Sequence, residues 1–252
     1  LKYTVITGAS SGIGYETALA LAARGKNLIL VARRKENLEE LQSRIQHLHA
    51  DVQVVVQPMD LSVSNNAFKL YENLKMYAIE TWINNAGFGN FASVGDQNLD
   101  KIQELLHLNI EALTLLSSLF VHDYASVEGT QLINISSGGG YTIVANAITY
   151  CASKFYVSAF TEGLAHELKA NGAKMKAKVL APAVTETEFA KRSRDLEHFE
   201  YAGHMPKFHT AKQMAGFLLE LYDSDKVVGI VDGYTYNFEL KDPIFPYVAM
   251  IR

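Results

Sequence analysis

A tyrosine stands one helical turn ahead of a lysine in Tyr150-Cys-Ala-Ser-Lys154, and a strand-like run before it ends in Ser136-Ser137. Residues four apart share a helix face, so a Lys154 ammonium can stand beside the Tyr150 phenol and favour its ionised form. A phenol titrates near 10, and a proton shuttle working at neutrality needs that lowered by about three units, or roughly 4 kcal/mol. One full charge about 4 Å away supplies a similar amount at an effective dielectric of about 20. The first strand-like run leads directly into Thr7-Gly-Ala-Ser-Ser-Gly-Ile-Gly14. Small residues in such a turn let backbone N–H groups and a helix N-terminus approach a pyrophosphate. An acid/base pair together with a dinucleotide cradle points to hydride transfer between a nicotinamide cofactor and a carbonyl or alcohol.

Apolar, β-branched runs recur at Lys2 to Thr7, Asn27 to Ala32, Val52 to Gln57, Thr81 to Asn84, Thr130 to Ile135 and Lys176 to Leu180. Helical periodicity falls between and after them, at Ile13 to Arg24, Glu36 to His47, Asn65 to Tyr77, Leu99 to Tyr124, Tyr150 to Ala170 and Ala211 to Leu221. That alternation predicts an α/β fold, a doubly wound parallel sheet with helices on both faces. A seventh strand is expected between Gly229 and Glu239, followed by an irregular tail from Asp242-Pro243. With no linker, repeat or low-complexity segment, residues 1–252 read as one domain. Residues 188–210 break the rhythm with charge, aromatics and turn residues just after the sixth strand, where ligands bind in this architecture; a mobile substrate lid is the expectation.

A hydrophobic share of 48% and 20% charged residues suit a soluble globular protein, and a net charge of −4 without a basic patch argues against nucleic acid. Apolar runs such as Ala18-Leu-Ala-Leu-Ala-Ala23 are short, so no membrane-spanning segment is expected. The chain begins at Leu1 and enters a strand almost at once, with no visible signal peptide. The single cysteine, Cys151, suits a reducing cytosol, and a cytoplasmic location is expected. The eight histidines lack ligand spacing and predict no metal site. The second strand ends Val31-Ala32-Arg33-Arg34, with alanine where an acid would bind a ribose 2′-hydroxyl, which favours NADP(H) while leaving NAD(H) possible.

Taken together, these motifs resemble the short-chain dehydrogenase/reductase family over nearly the whole chain. Thr7 to Gly14 looks like that family's cofactor turn, Asp60-Leu61 matches the acid that meets the adenine, and Asn84-Asn-Ala-Gly87 matches the motif beside the adenosine and central strand. Asn109, Ser137, Tyr150 and Lys154 fall where the family places its catalytic tetrad. The resemblance implies a Rossmann-like, seven-stranded parallel sheet, an NAD(P) cofactor, and dimers or tetramers packed through the helices that hold Asn109 and Tyr150. It implies cofactor contacts from Gly8, Ser10, Ser11, Gly12, Ile13, Gly14, Arg33, Arg34, Asp60, Leu61, Asn85, Ala86, Gly87, Tyr150, Lys154, Pro182, Ala183, Thr185 and Thr187. In the reducing direction Tyr150 would donate a proton to the carbonyl oxygen and Ser137 would hydrogen-bond it. By the same resemblance Lys154 binds the nicotinamide ribose, and Asn109 positions a water on a proton path.

Some features fit less closely. Asn109 lies in an apolar helix and has a second reading, a polar side chain satisfying backbone groups at a kink. Ala183 replaces the family's usual glycine after Pro182, so the backbone there need not take positive φ. Gly138-Gly-Gly140 reads as a flexible turn or as an open substrate floor. Two other functions remain in view. A 3-oxoacyl carrier-protein reductase would need a basic docking face, for which Lys191, Arg192, Arg194, Lys207 and Lys212 are diluted by nearby acids. An NADP-sensing or scaffolding protein would have no need for Ser137, Tyr150 and Lys154 together. The aromatics Phe88, Phe91, Tyr141, Phe189, Phe199, Tyr201 and Phe208 suggest a partly apolar pocket.

Overall fold

The computed structural model describes residues 1–249. In chain order the elements are β1 (Lys2–Thr7), α1 (Gly12–Ala22), β2 (Asn27–Ala32), α2 (Lys35–Leu48), β3 (Val54–Pro58), α3 (Asn66–Leu74), β4 (Ala78–Asn84), α4 (Leu99–Leu106), α5 (Leu113–Tyr124) and β5 (Gln131–Ile135). There follow α6 (Ile148–Ala170), β6 (Lys176–Ala181), β7 (Thr185–Glu186), α7 (Phe189–Ser193), α8 (Tyr201–His204), β8 (His209–Thr210), α9 (Ala211–Asp223), β9 (Val228–Val231) and β10 (Phe238–Lys241). The main sheet runs β10-β9-β6-β5-β4-β1-β2-β3. Strand order reverses direction between β1 and β4, which opens a crevice at their carboxyl ends.

The apolar strands sort themselves by alternation. In β2, Leu28, Leu30 and Ala32 enter the core under α1, α2 and α9, while Ile29 and Val31 face the core under α3, α5 and α6. A strand covered on both faces needs apolar residues throughout, which is why β2 reads as an unbroken hydrophobic run. Helix α9 begins with a capping box in which the Thr210 hydroxyl accepts the Gln213 N–H and the Gln213 side chain accepts the Thr210 N–H. At its other end the buried Lys178 ammonium donates to the Leu221 and Tyr222 carbonyls at 2.9 and 2.8 Å.

Two expectations need correction. The stretch expected to hold a seventh strand contains two, because Asp232 Oδ1 accepts the Tyr234 and Thr235 N–H groups and folds the chain back. β10 therefore runs antiparallel to β9 at the sheet edge, giving eight strands, of which the other seven are parallel. Second, Leu99–Tyr124 is one helical run of 26 residues, long and apolar enough to cross a membrane by length and composition alone, although no such segment was expected. Its charges are spread thinly, so short apolar runs understate its overall apolarity. Ala112, Leu116 and Phe120 bury it against the sheet, and Leu105 packs near the cleft.

Candidate active site

The crevice at the carboxyl ends of the strands opens into a cleft of about 1030 Å³. Gly8, Ser10, Ser11, Gly12, Ile13, Arg33, Arg34, Asp60, Leu61, Asn85, Ala86 and Gly87 line one part of it, and Ser137, Tyr150, Lys154, Pro182, Ala183, Thr185 and Thr187 another. Gly14 and Asn109 stand behind the wall. A Cβ on Gly14 would fall 2.5 Å from the Gly8 carbonyl oxygen, so glycine is what lets the turn close on itself. The Asn85 amide braces the same turn by donating to the Thr7 and Gly8 carbonyls at 2.9 and 3.2 Å. Thr7 Oγ1 accepts both the Asn85 and Ala86 N–H groups at 3.0 Å. Ala183 is not among the residues with positive φ, so the backbone there accommodates a side chain.

Positive charge gathers where β2 ends. Arg34 donates to both Glu188 carboxylate oxygens, at 3.1 and 2.8 Å, and to the Ser10 and Ser11 hydroxyls at 3.3 and 2.9 Å. Its guanidinium holds the Glu188 carboxyl below the usual range. Arg33 lies 3.6 Å from Asp60, whose other oxygen accepts the Ser62 N–H and hydroxyl. Burial raises the Asp60 pKa, but the Ser62 bonds and Arg33 outweigh it and keep the carboxyl ionised below its ordinary value. Arg192 of α7 comes alongside, its pKa drawn down by burial and by Arg33 and Arg34. Glycine-turn N–H groups beside clustered guanidiniums fit a phosphorylated dinucleotide.

At the opposite end, α6 carries Tyr150, Lys154, Ser158 and Glu162 at four-residue spacing. Ser137, two residues beyond β5, is extended and caps the following turn, its Oγ accepting the Gly139 N–H at 3.0 Å. Gly138–Gly140 is a helical turn whose Gly138 and Gly139 line the cleft, while Gly140 presses so closely on α6 that a Cβ there would lie 2.7 Å from the Lys154 carbonyl oxygen. Ser136 fastens it by donating to the Lys154 carbonyl at 2.9 Å. Lys154 Nζ donates to the Ile135 carbonyl at 2.8 Å and lies 5.9 Å from the centre of the Tyr150 ring.

The electrostatics differ from the simple pair expected from the sequence. Burial pushes the Tyr150 phenol up to about 12, with the Ser137 hydroxyl opposing that rise, and burial pushes the Lys154 ammonium down to about 8. Both groups are desolvated, and the one hydrogen bond that Lys154 makes among the described residues goes to the Ile135 carbonyl, not to the phenol. With its pKa raised by burial, the Tyr150 phenol keeps its proton at neutral pH.

Asn109 lies in a widened π-type turn between α4 and α5, residues His107–Ala112. Its Nδ2 donates to the Phe88 carbonyl at 2.9 Å and the Ser153 hydroxyl at 3.2 Å, and its Oδ1 accepts the Phe88 N–H at 3.2 Å. The side chain sits at the widened turn but satisfies the backbone of Phe88, in the loop after β4, not the helix's own groups, and a Cβ on Gly87 would lie 3.1 Å from its Oδ1 and 3.4 Å from Lys154 Nζ.

Rings of Phe91 and Phe189 surround Tyr150, with centroids 6.2 and 5.3 Å away. Phe88, Tyr141 and Tyr201 also line the cleft, whereas Phe199 and Phe208 pack on Tyr201 behind it. The 188–210 excursion is closed at its base by parallel pairing of β7 with β8. Cys151 is buried, its sulfur accepting the Val144 N–H, in an apolar filler position. Among the described residues no group of three or more His, Cys, Asp or Glu is placed to hold a metal.

Sequence reasoning missed a buried polar chain: Trp82 Nε1 donates to Asn84 Oδ1, Asn84 Nδ2 to Ser117 and Asn134, and Asn134 Nδ2 to Thr161. It ties β4 and β5 to α5 and α6 and so fixes the strands that deliver the site. The signal was two asparagines inside otherwise apolar strand runs.

The model of the short chain dehydrogenase family matches residues 2–198. The chain is 29% identical over 196 residues to an uncharacterized oxidoreductase of Staphylococcus saprophyticus, covering 77% of this chain and 78% of that protein. A short-chain dehydrogenase from Sphingobium yanoikuyae, solved in complex with NADPH, superposes with a TM-score of 0.80 at 30% identity over 91% of this chain and 87% of that one. The bulky-bulky ketone specific alcohol dehydrogenase from Comamonas testosteroni superposes with a TM-score of 0.79 at 28% identity, covering 91% and 86%. With the glycine turn, the placement of Ser137, Tyr150 and Lys154 on one cleft and the strand order all in agreement, the chain belongs to the short-chain dehydrogenase/reductase family of oxidoreductases.

Proposed function

We propose that this protein is an NADP(H)-dependent carbonyl reductase or alcohol dehydrogenase for substrates with apolar groups flanking the reacting carbon, and that Tyr150 is its acid/base. The observation that carries this reading is the placement of Ser137, Tyr150 and Lys154 on one cleft with the glycine turn and Arg34. When bound, the reduced nicotinamide supplies the hydride. Tyr150 gives its proton to the carbonyl oxygen, and Ser137 donates a hydrogen bond to the same oxygen as charge develops. Lys154 holds the ribose end of the cofactor and favours the tyrosinate left after transfer. Asn109 keeps the Phe88 backbone and the floor under Gly87 in place, and a water beside it would return the proton.

Gly8 to Gly14 cradle the pyrophosphate, Asp60 and Leu61 with Asn85 to Gly87 flank the adenosine, and Pro182 to Thr187 flank the carboxamide. Arg33 and Arg34 read the 2′-phosphate. The ring cluster of Phe91, Tyr150 and Phe189 is apolar on the substrate side, and the NADPH complex and bulky-ketone specificity of the two superposed relatives support the same assignment. Residues 188–210 act as a lid, and the protein works as a cytosolic dimer or tetramer. A carrier-protein docking face is disfavoured, because Arg194 lies over the Phe91 ring at 4.9 Å and Lys207 donates to the Tyr234 carbonyl. The test is oxidation of NADPH and of NADH, followed optically, over small aldehydes, diketones and bulky aryl ketones. Faster turnover with NADPH and with bulky ketones is expected; tight NADPH binding with no turnover of any carbonyl would replace this reading with a sensor.

A further inference from the structure

Glu162 lies on the same stripe of α6 as Tyr150 and Lys154 and is 1% exposed. A carboxylate so buried must be met by donors. Its Oε1 accepts the Tyr141 hydroxyl at 2.6 Å, and its Oε2 accepts the backbone N–H groups of Ile244 and Phe245 at 2.5 and 2.8 Å. Residues 242–249 form no strand or helix, yet they are fixed on α6 by more than this clasp. The Phe245 ring stacks on Tyr141, with centroids 5.3 Å apart and planes 14° from parallel, and Tyr247 stacks on His166 at 4.2 Å and 7°. Pro243 and Pro246 bracket Ile244-Phe245 and favour extended backbone there, which leaves two adjacent N–H groups free for one carboxylate.

Tyr141 connects this clasp to the chemistry. It directly follows the Gly138–Gly140 turn, and its own N–H and that of Thr142 bond to the Gly138 carbonyl at 3.1 and 3.0 Å. Tyr141 lines the cleft, as do Thr142 and Val144 beyond it. Its hydroxyl is committed to Glu162 and one face is covered by Phe245, so the ring has little freedom to turn away from a substrate.

We propose that Glu162 is a positioning residue that, by joining Tyr141 to the backbone of Ile244 and Phe245, makes the segment after β10 the backing of the substrate wall and so sets how large an apolar group the cleft accepts beside the carbonyl. This rests on the reductase reading for its kinetic consequence, but not for the clasp itself.

The test compares the whole chain with Tyr141→Phe, Phe245→Ala and the two combined, after circular dichroism and NADPH titration show that each folds and binds cofactor. Loss of one charge-assisted hydrogen bond raises KM for a bulky aryl ketone about five- to tenfold in Tyr141→Phe. Phe245→Ala does the same, the double variant adds little to the larger single effect, and the KM of a small aldehyde rises at least about threefold less than that of the bulky ketone in each variant. Equal KM changes for small and bulky substrates, or additive effects, overturn the proposal. Amide hydrogen exchange over residues 138–142 decides the clasp without turnover. Faster exchange there in Phe245→Ala supports it, and unchanged exchange overturns it. If the wild type reduces no carbonyl, the reductase reading falls while the exchange result still stands on its own.

Discussion

Replacing Lys154 with methionine should abolish turnover and yet stabilise the cofactor-free fold. Lys154 is 5% exposed, and its ammonium has one hydrogen-bond partner among the described residues, the Ile135 carbonyl at 2.8 Å. Burial lowers its pKa from an ordinary 10.5 to about 8. At about 1.36 kcal/mol per unit, holding that charge in the folded protein at neutral pH costs roughly 3 kcal/mol. Methionine fills a similar volume without charge, but it forfeits a charge-assisted hydrogen bond worth about 1.5 kcal/mol. The net expectation is a gain of about 1–2 kcal/mol, or about 2–8 °C in Tm for a domain of this size. Because the folded pKa lies below the unfolded one, the unfolded chain binds more protons between about pH 8 and 10.5, so wild-type stability rises through that window. The variant lacks this contribution, so its advantage shrinks as pH rises and, with roughly 3 kcal/mol relieved in the wild type against a gap of about 1–2 kcal/mol, reverses before about pH 10. Lys178, also held down to about 8 and burdened chiefly by burial, is present in both proteins and cancels. Urea or thermal unfolding near pH 7 and again near pH 10 measures both effects. A variant less stable than wild type by more than about 1 kcal/mol at pH 7, or a gap that does not change with pH, would refute this reasoning.

Arg34→Ala should weaken NADPH binding about tenfold or more while leaving NADH within about twofold, since on the proposed reading the guanidinium meets the 2′-phosphate, while the glycine turn it touches through Ser10 and Ser11 is braced independently by Asn85. Equal losses for both cofactors by fluorescence titration would remove Arg34 from that role. Gly14→Ala places a Cβ 2.5 Å from the Gly8 carbonyl oxygen, and should lower stability by about 1–3 kcal/mol and weaken either cofactor. An unchanged Tm and NADPH affinity would show that the turn can relax.

Where local chemistry and tertiary structure agree, the chain is readable. β1, β2 and α6 fall close to their expected bounds because apolar strand runs and helical spacing are local signals. The cleft likewise gathers nearly every expected cofactor and catalytic residue, since a glycine turn and a Tyr-Lys pair carry their geometry in their spacing. What was not legible depends on distant partners. The Tyr150 phenol was expected to be acidified, but burial by Phe91 and Phe189 and the capture of Lys154 by Ile135 only appear once the fold is assembled. Asn109 reads as a candidate water holder or a backbone brace, and the brace becomes visible only through Phe88, far away in sequence. The β9–β10 hairpin reads as one strand in the sequence because the Asp232-Gly233 turn is a short signal inside a β-rich stretch, and the fold-back depends on Asp232 Oδ1 capturing the Tyr234 and Thr235 N–H groups. Glu162 carries no local signal beyond its spacing from Tyr150, and its partners lie beyond residue 240.

The most direct test of the central claim is steady-state reduction of a bulky aryl ketone by NADPH with wild type and Tyr150→Phe. Phenylalanine preserves the ring packing against Phe91 and Phe189 and removes only the proton donor. A fall in kcat of about 10²- to 10⁴-fold, with NADPH affinity within about twofold of wild type, is the predicted result. A variant that turns over at the wild-type rate would contradict the assignment of Tyr150 as the acid.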